Sequence, residues 1–221
     1  QGMDKAQICL FDVKINKNWF AQYDIKEVTT LSFDTTIFHS IISTKGDGHD
    51  LIITMKDGNN DILHIYFIPQ ESQKGEFKKS KSFKLPLVDY DYAEMHIPTV
   101  DYDAEFSLSS KQISEMFSQL DNFGSDIIIK CSQEDITLTA GGAGGEMTVD
   151  IHVDDLSCYS IVEGEEILLT YSLAYINKMC ITNKLSTDVE FYLGNDMPMK
   201  INYNLGDDSY IMFFIAPKIN D

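Results

Sequence analysis

The sequence predicts an α+β protein made of antiparallel sheets and a few amphipathic helices. Three observations predict it. Most of the chain alternates apolar and polar residues with period two, the pattern of strands covered on one face. Three stretches break that period and space their apolar residues for one helical face. The order helix, antiparallel strands, then an aromatic-aliphatic strand running into proline occurs twice, which predicts two similar units.

The first alternating stretch is Gln7 to Ile15. Phe33 to Lys45 then sets Ile37, Phe38, Ile41 and Ile42 on one helical face. Leu51 to Met55 and Ile62 to Ile68 read as strands around the turn residues Lys56-Asp57-Gly58-Asn59, and the second runs into Pro69. Leu85 to Val100 has no clean period. It holds Pro86, Pro98 and the acidic aromatic run Asp89-Tyr90-Asp91-Tyr92, so it reads as an exposed linker. Ser109 to Phe123 places Ile113, Met116, Phe117 and Leu120 together behind a serine cap. Asp126 to Cys131, Ile136 to Thr139, Met147 to Val153 and Ile167 to Thr170 alternate again, with glycine-rich residues 141–145 as a turn. Ser172 to Asn183 aligns Leu173, Ile176, Met179 and Cys180. Val189 to Leu193, Lys200 to Asn204 and Tyr210 to Ile215 follow, and the last leads to Pro217. The expected organisation is a first unit over 1–84, a linker over 85–100 and a second unit over 101–221.

Composition narrows the function. Of 221 residues, 43% are hydrophobic and 24% charged, which suits a packed core and not a disordered chain. No apolar run reaches the roughly 18 residues of a membrane span. Residues 1–15 mix charge with apolar side chains, unlike a signal peptide; the expectation is a soluble, intracellular protein. Cys9, Cys131, Cys158 and Cys180 form no Cys-x-x-Cys pair and are expected to be buried small apolar residues. The net charge is −18, and all 17 basic residues are lysine. Such a chain does not bind nucleic acid through its general surface; positive charge would have to be confined to one face.

A catalytic reading would rest on Asp89, Asp91, Asp101 and Asp103 as ligands for a hard cation. No neighbouring residues supply a nucleophile with its base. The expectation is a protein that is not an enzyme and carries neither metal nor cofactor.

Several segments resemble the proliferating cell nuclear antigen family of DNA sliding clamps. Ser172-Leu173-Ala174-Tyr175-Ile176-Asn177-Lys178 with Leu185-Ser186 is similar to that family's last helix, and Ile215-Ala216-Pro217-Lys218-Ile219 to its ending. Gln1-Gly2-Met3-Asp4 with Ile8-Cys9-Leu10 resembles the lead into its third strand. Asp50 to Thr54 and Ile97-Pro98 fall in order between them. The resemblance implies that a strand–helix–strand stretch precedes the point matching Gln1. It implies two clamp domains of helices packed on antiparallel sheets, normally assembled head to tail into a closed ring, most often of three identical subunits, with helices lining the hole.

By that resemblance, a strand through Lys81, Phe83, Lys84 and Leu85 of one subunit pairs with a strand through Met147, Val149, Asp150, Ile151 and Val153 of the next. Lys78 and Lys79 add positive charge to the first; Glu146, Asp154 and Asp155 add negative charge to the second. Duplex DNA would be met, without sequence preference, by Lys45, Lys111, Ser118, Asn122, Lys178 and Lys184. The three helical stretches carry formal charges of zero, −1 and +2, a shallow positive lining in an acidic chain.

The resemblance also implies an apolar groove for partner peptides that insert an aliphatic and two aromatic side chains. Its residues would be Met3, Gln7, Ile8, Leu10, Met95 and Ile97, then Pro198, Phe214, Ala216 and Pro217. Backbone at 216–219 is expected to be free to pair with the peptide. Expected partners are a DNA polymerase, a clamp loader and other proteins carrying such a motif. The expected setting is the nucleus or a viral replication site. The alternative reading is a clamp relative that acts as a subunit of a heterotrimeric checkpoint-type ring, or as a viral processivity factor that does not encircle DNA.

Overall fold

Asp34, Ser109 and Ser172 sit where the chain turns into each of the three α-helices among the described residues. In the computed structural model, which describes residues 1–56, 59–70, 80–90, 97 and 99–219, the order begins β1 (Gly2–Met3), β2 (Cys9–Lys14), α1 (Thr35–Ile42), β3 (His49–Lys56), β4 (Asn59–Pro69) and β5 (Lys81–Pro86). Next come β6 (Ala104–Ser109), α2 (Ser110–Leu120), β7 (Asp126–Cys131), β8 (Asp135–Gly142), β9 (Gly145–His152) and β10 (Cys158–Ile161). The chain ends with β11 (Ile167–Ser172), α3 (Leu173–Met179), β12 (Asp188–Leu193), β13 (Met199–Gly206) and β14 (Ser209–Ile215). All strand pairings among the described residues are antiparallel, and the fold is α+β.

The helices are shorter than the apolar spacing suggests. Asp34 caps α1 by accepting from the amides of Thr36 and Ile37, so Phe33 stays outside it. Ser109 caps α2 through the amide of Gln112. The third helix gives way to a 3₁₀ turn over Cys180–Lys184. Val153, expected in a strand, lies in a second 3₁₀ turn, Val153–Asp155. β6 and β10 were not foreseen. Yet Glu105-Phe106-Ser107-Leu108 alternates cleanly, and β6 is paired on both sides, between β12 and β10.

The chain forms two compact units. Residues 1–23 join residues 94–221 in one, and residues 24–93 form the other. Residues 1–23 belong there because β2 pairs along β14, with Phe11 opposite Phe213 and Leu10 opposite Phe214.

The larger unit holds a seven-stranded sheet, ordered β1-β2-β14-β13-β12-β6-β10, and a four-stranded sheet, β11-β7-β8-β9. Helices α2 and α3 pack on them. Ile113, Phe117, Leu120, Leu173 and Ile176 are fully buried against Phe106, Phe191, Ile127 and Ile129. Phe191 stacks on Phe106 at 4.9 Å and meets Phe117 edge-on at 6.0 Å. Burying such aromatic surface is the main stabilising contribution here. Cys131 and Cys180 are buried, as expected; Cys158 is exposed, and Cys9 is half-buried and packs against this core.

The smaller unit holds a three-stranded sheet, β3-β4-β5, with α1 against it. Leu63, Ile65, Phe67 and Leu85 form its core with Ile41. Leu85, expected at an interface, is therefore a core side chain, and any contact it makes is through its backbone. Phe83 packs on Phe67 at 5.4 Å, and the Lys81 ammonium donates to the Thr44 carbonyl. The turn residues Asp57 and Gly58, and also Lys78, Lys79, Asp91 and Met95, lie outside the described residues. No described helix is long and apolar enough to cross a membrane.

Candidate functional site: an apolar groove

The register of the seven-stranded sheet divides it into two faces. Phe11, Phe213, Ile201, Phe191 and Phe106 are cross-strand neighbours on the core side. The next row, on the opposite face, runs Met3, Leu10, Phe214, Lys200, Tyr192, Glu105 across six strands. Its first three members line a groove of about 250 Å³. Of the ten expected residues, Met3, Gln7, Ile8, Leu10, Ile97, Pro198, Phe214 and Ala216 line it together. Met95 lies outside the described residues, and Pro217 is not part of the lining. Cys9, Val100, Tyr102 and Met197 were missed. Tyr102 and Val100 sit just before β6, the strand the periodicity reading overlooked. Met and Ile side chains give such a surface shape without fixed polar demands.

Asp4 builds one wall. Its Oδ1 accepts from the amides of Ile8 (2.7 Å) and Cys9 (2.8 Å). Its Oδ2 accepts from the Ala6 amide (3.2 Å) and the Tyr175 hydroxyl (3.0 Å), which reaches from α3. The Asp4 carbonyl also accepts from the Gln7 amide at 3.0 Å. The loop so closed holds Gln7 in the left-handed region, φ 57°, a conformation that a non-glycine residue adopts only when its surroundings impose it. The backbone amide of Cys9, with those of Ile8 and Ala6 and the Tyr175 hydroxyl, holds the Asp4 carboxyl below the usual carboxylate range. A depressed folded-state value means the carboxylate's contribution is present above the ordinary range and is lost as the pH falls through the folded value. The amide resonances of Ile8 and Cys9 should therefore hold their hydrogen-bonded positions at neutral pH and shift together under strong acid. Asp4→Ala should show the acid pattern already at neutral pH.

The C-terminal segment differs from expectation. The Ala216 amide donates to the Ile8 carbonyl (3.0 Å) and the Lys218 amide to the Thr170 carbonyl (2.7 Å). Both donors are spent inside the unit and Pro217 has none, so the amides of Ala216 and Lys218 are not among the backbone groups left to pair. The Lys218 ammonium also pairs with Asp126 at 2.6 Å.

The expected DNA-facing residues of the larger unit divide. Lys111 and Lys184 line one polar hollow of about 340 Å³ with Ser109, Asn183, Leu185, Ser186 and Thr187. Lys111 lies 3.9 Å from Glu115, an exposed pair that contributes little. Lys178 and Ser118 are exposed, with the Lys178 ammonium 5.6 Å from the Tyr175 ring. Asn122 folds back, donating to the Ser118 and Gln119 carbonyls at 3.1 Å, so its amide serves the end of α2. Lys45, in the smaller unit, is exposed just past α1.

Met147, Val149, Asp150 and Ile151 lie on β9, at the margin of the four-stranded sheet, with Ile151 buried. Lys81, Phe83 and Lys84 lie on β5, at the margin of the three-stranded sheet. Neither margin has a further partner strand among the described residues. Asp103, weighed above as a cation ligand, accepts from the Asn195 amide at 2.8 Å, and no metal-binding cluster occurs among the described residues.

The family model described as "Proliferating cell nuclear antigen, C-terminal domain" matches residues 96–218. Over 221 residues the chain is 23% identical to a protein named "DNA polymerase sliding clamp" from Thermococcus fumicolans. Over 226 it is 24% identical to "Proliferating cell nuclear antigen" from Chaetomium thermophilum. A further "DNA polymerase sliding clamp", from Thermococcus gammatolerans, is 22% identical over 221. Each alignment covers 100% of this chain and 85% of the relative. The match of more than half the chain to the family model shows that this chain belongs to the proliferating cell nuclear antigen family.

Proposed function

We propose that the chain is a subunit of a DNA sliding clamp, a ring that encircles duplex DNA and tethers replication and repair proteins without itself catalysing a reaction. The observation that carries it is the apolar groove, set on the outward face of the sheet and walled by the Asp4 loop. Partner proteins would dock a short aliphatic-aromatic motif there. Tethering then raises the local concentration of a polymerase at the primer end with no chemistry of its own.

The ring would close by pairing β5 of one subunit with β9 of the next, most simply as a homotrimer. Lysines on the first edge would face Asp150 and its acidic neighbours on the second. Lys111 and Lys184 would meet phosphates at their shared hollow, Lys178 on α3 would add to them, and the grip would be weak and salt-sensitive. Ile97 and Val100, which line the groove, would belong to a connector over 85–100 between two clamp domains.

The test is retention on a nicked circular duplex. A clamp loaded on the circle stays bound after gel filtration and runs off once the circle is cut. Equal loss before and after cutting would sink the encircling reading. The shallow charge of the lining favours one second reading, a subunit that joins two different chains to complete its ring. Sedimentation of this chain alone separates them: a trimer mass supports the first, a monomer at high concentration the second.

A further inference from the structure

The row of residues that lines the groove does not stop at its edge. Beyond Phe214 the next cross-strand neighbour is Lys200, then Tyr192, then Glu105. Lys200 is a half-buried lysine on a strand otherwise given to apolar or neutral residues. Its ammonium sits 3.4 Å from the centroid of the Tyr192 ring and 5.2 Å from that of Tyr102. The two rings are 5.6 Å apart and tilted by 52°. No carboxylate closes on Lys200 as an ion pair among the described residues. Glu190 instead accepts from the Tyr192 hydroxyl (3.1 Å) and the Asn202 side-chain Nδ2 (2.6 Å).

Burial pulls the Lys200 ammonium below the usual lysine value, while Glu105 and Glu190 pull it back up. A desolvated charge with no ion-pair partner persists where aromatic faces receive it. The consequence reaches the groove because Tyr102 is one of its lining residues, and Phe214, directly opposite Lys200 in the register, is another.

We propose that Lys200 is a positioning residue for the groove: by bridging Tyr192 and Tyr102 it fixes Tyr102 as the wall against which one aromatic side chain of a docked peptide packs. The inference rests on the groove being a peptide-docking site. It assigns that aromatic position, and not the aliphatic one, to the end of the groove between Tyr102 and Phe214. Lys200 acts through Tyr102 and touches no peptide atom itself.

A double-mutant cycle tests it. The probe is a fluorescein-labelled synthetic peptide carrying one aliphatic and two aromatic anchor residues, with three variants in which each anchor in turn is alanine. Lys200→Met should weaken the parent peptide about threefold to tenfold, the range of a partly desolvated cation–π contact. The weakening should vanish for one of the two peptides lacking an aromatic anchor and persist for the peptide lacking the aliphatic one. Lys200→Arg, which keeps the cation over both rings, should bind within about twofold of the unsubstituted chain. Equal weakening for every peptide would reveal a general structural loss and overturn the proposal, as would no weakening at all. Lys200→Gln serves as a second variant if the methionine form does not fold. Failure of the groove itself reads differently: the unsubstituted chain would then not bind the parent peptide, or Leu10→Glu would bind it equally well.

Discussion

Leu10→Glu is expected to abolish docking of an aliphatic-aromatic peptide, with affinity falling at least about a hundredfold. Leu10 lies between Met3 and Phe214 in the cross-strand row, so a carboxylate there enters the centre of the apolar lining. A docked peptide would strip that carboxylate of water and offer it no cation in return. The fold should survive, because Leu10 is only half-buried and lies on the outward face of β2, away from the Phe106, Phe117 and Phe191 core. Fluorescence anisotropy with the peptide, beside a thermal melt, separates the two effects. A variant that melts normally and still binds would place the peptide elsewhere.

Phe191→Ala should be the most damaging core substitution, costing about 3–5 kcal/mol of the larger unit's stability. The ring is fully buried and meets Phe106 and Phe117, and through Phe117 it joins the seven-stranded sheet to α2. Truncation leaves a cavity between two elements that cannot collapse, since backbone hydrogen bonds hold β12 between β6 and β13. Urea unfolding followed by tyrosine fluorescence measures the loss; a midpoint close to that of the unsubstituted chain would show that the core closes over the gap.

Much of the architecture was legible in the sequence, for a physical reason. Strands such as Ile136–Thr139 and Val189–Leu193 lie half against the core, so burial writes itself as alternation. The cap at Ser109 was readable because a serine just before an apolar helical pattern can accept from an amide of the first turn; the one at Asp34 was not, since the apolar pattern begins at Phe33. β6 was missed although Phe106 and Leu108 alternate with Glu105 and Ser107, because the strand is short and runs without a turn into the serine that caps α2.

The groove's apolar members were accessible through family resemblance, but its supports were not. Asp4 reads as an ordinary turn residue until Tyr175 is seen to reach it from 171 residues away. Lys200 reads as the polar member of an alternating strand until Tyr192 and Tyr102 are found on either side. Such partnerships depend on which strands become neighbours, and periodicity within one strand carries no information about that. The same holds for the amides of Ala216 and Lys218, whose acceptors lie on distant segments.

The pairing of β2 with β14 also sets a schedule. Asp12 and Tyr210, joined by a hydrogen bond across that seam, are 198 positions apart. Contacts so remote form late, because a long loop must close before they return anything. During synthesis the segment carrying Met3, Ile8 and Leu10 leaves the ribosome early and waits, its apolar side chains uncovered, until Phe214 emerges. A nascent chain therefore has no finished groove, and the lining is complete only once the last strand is in place.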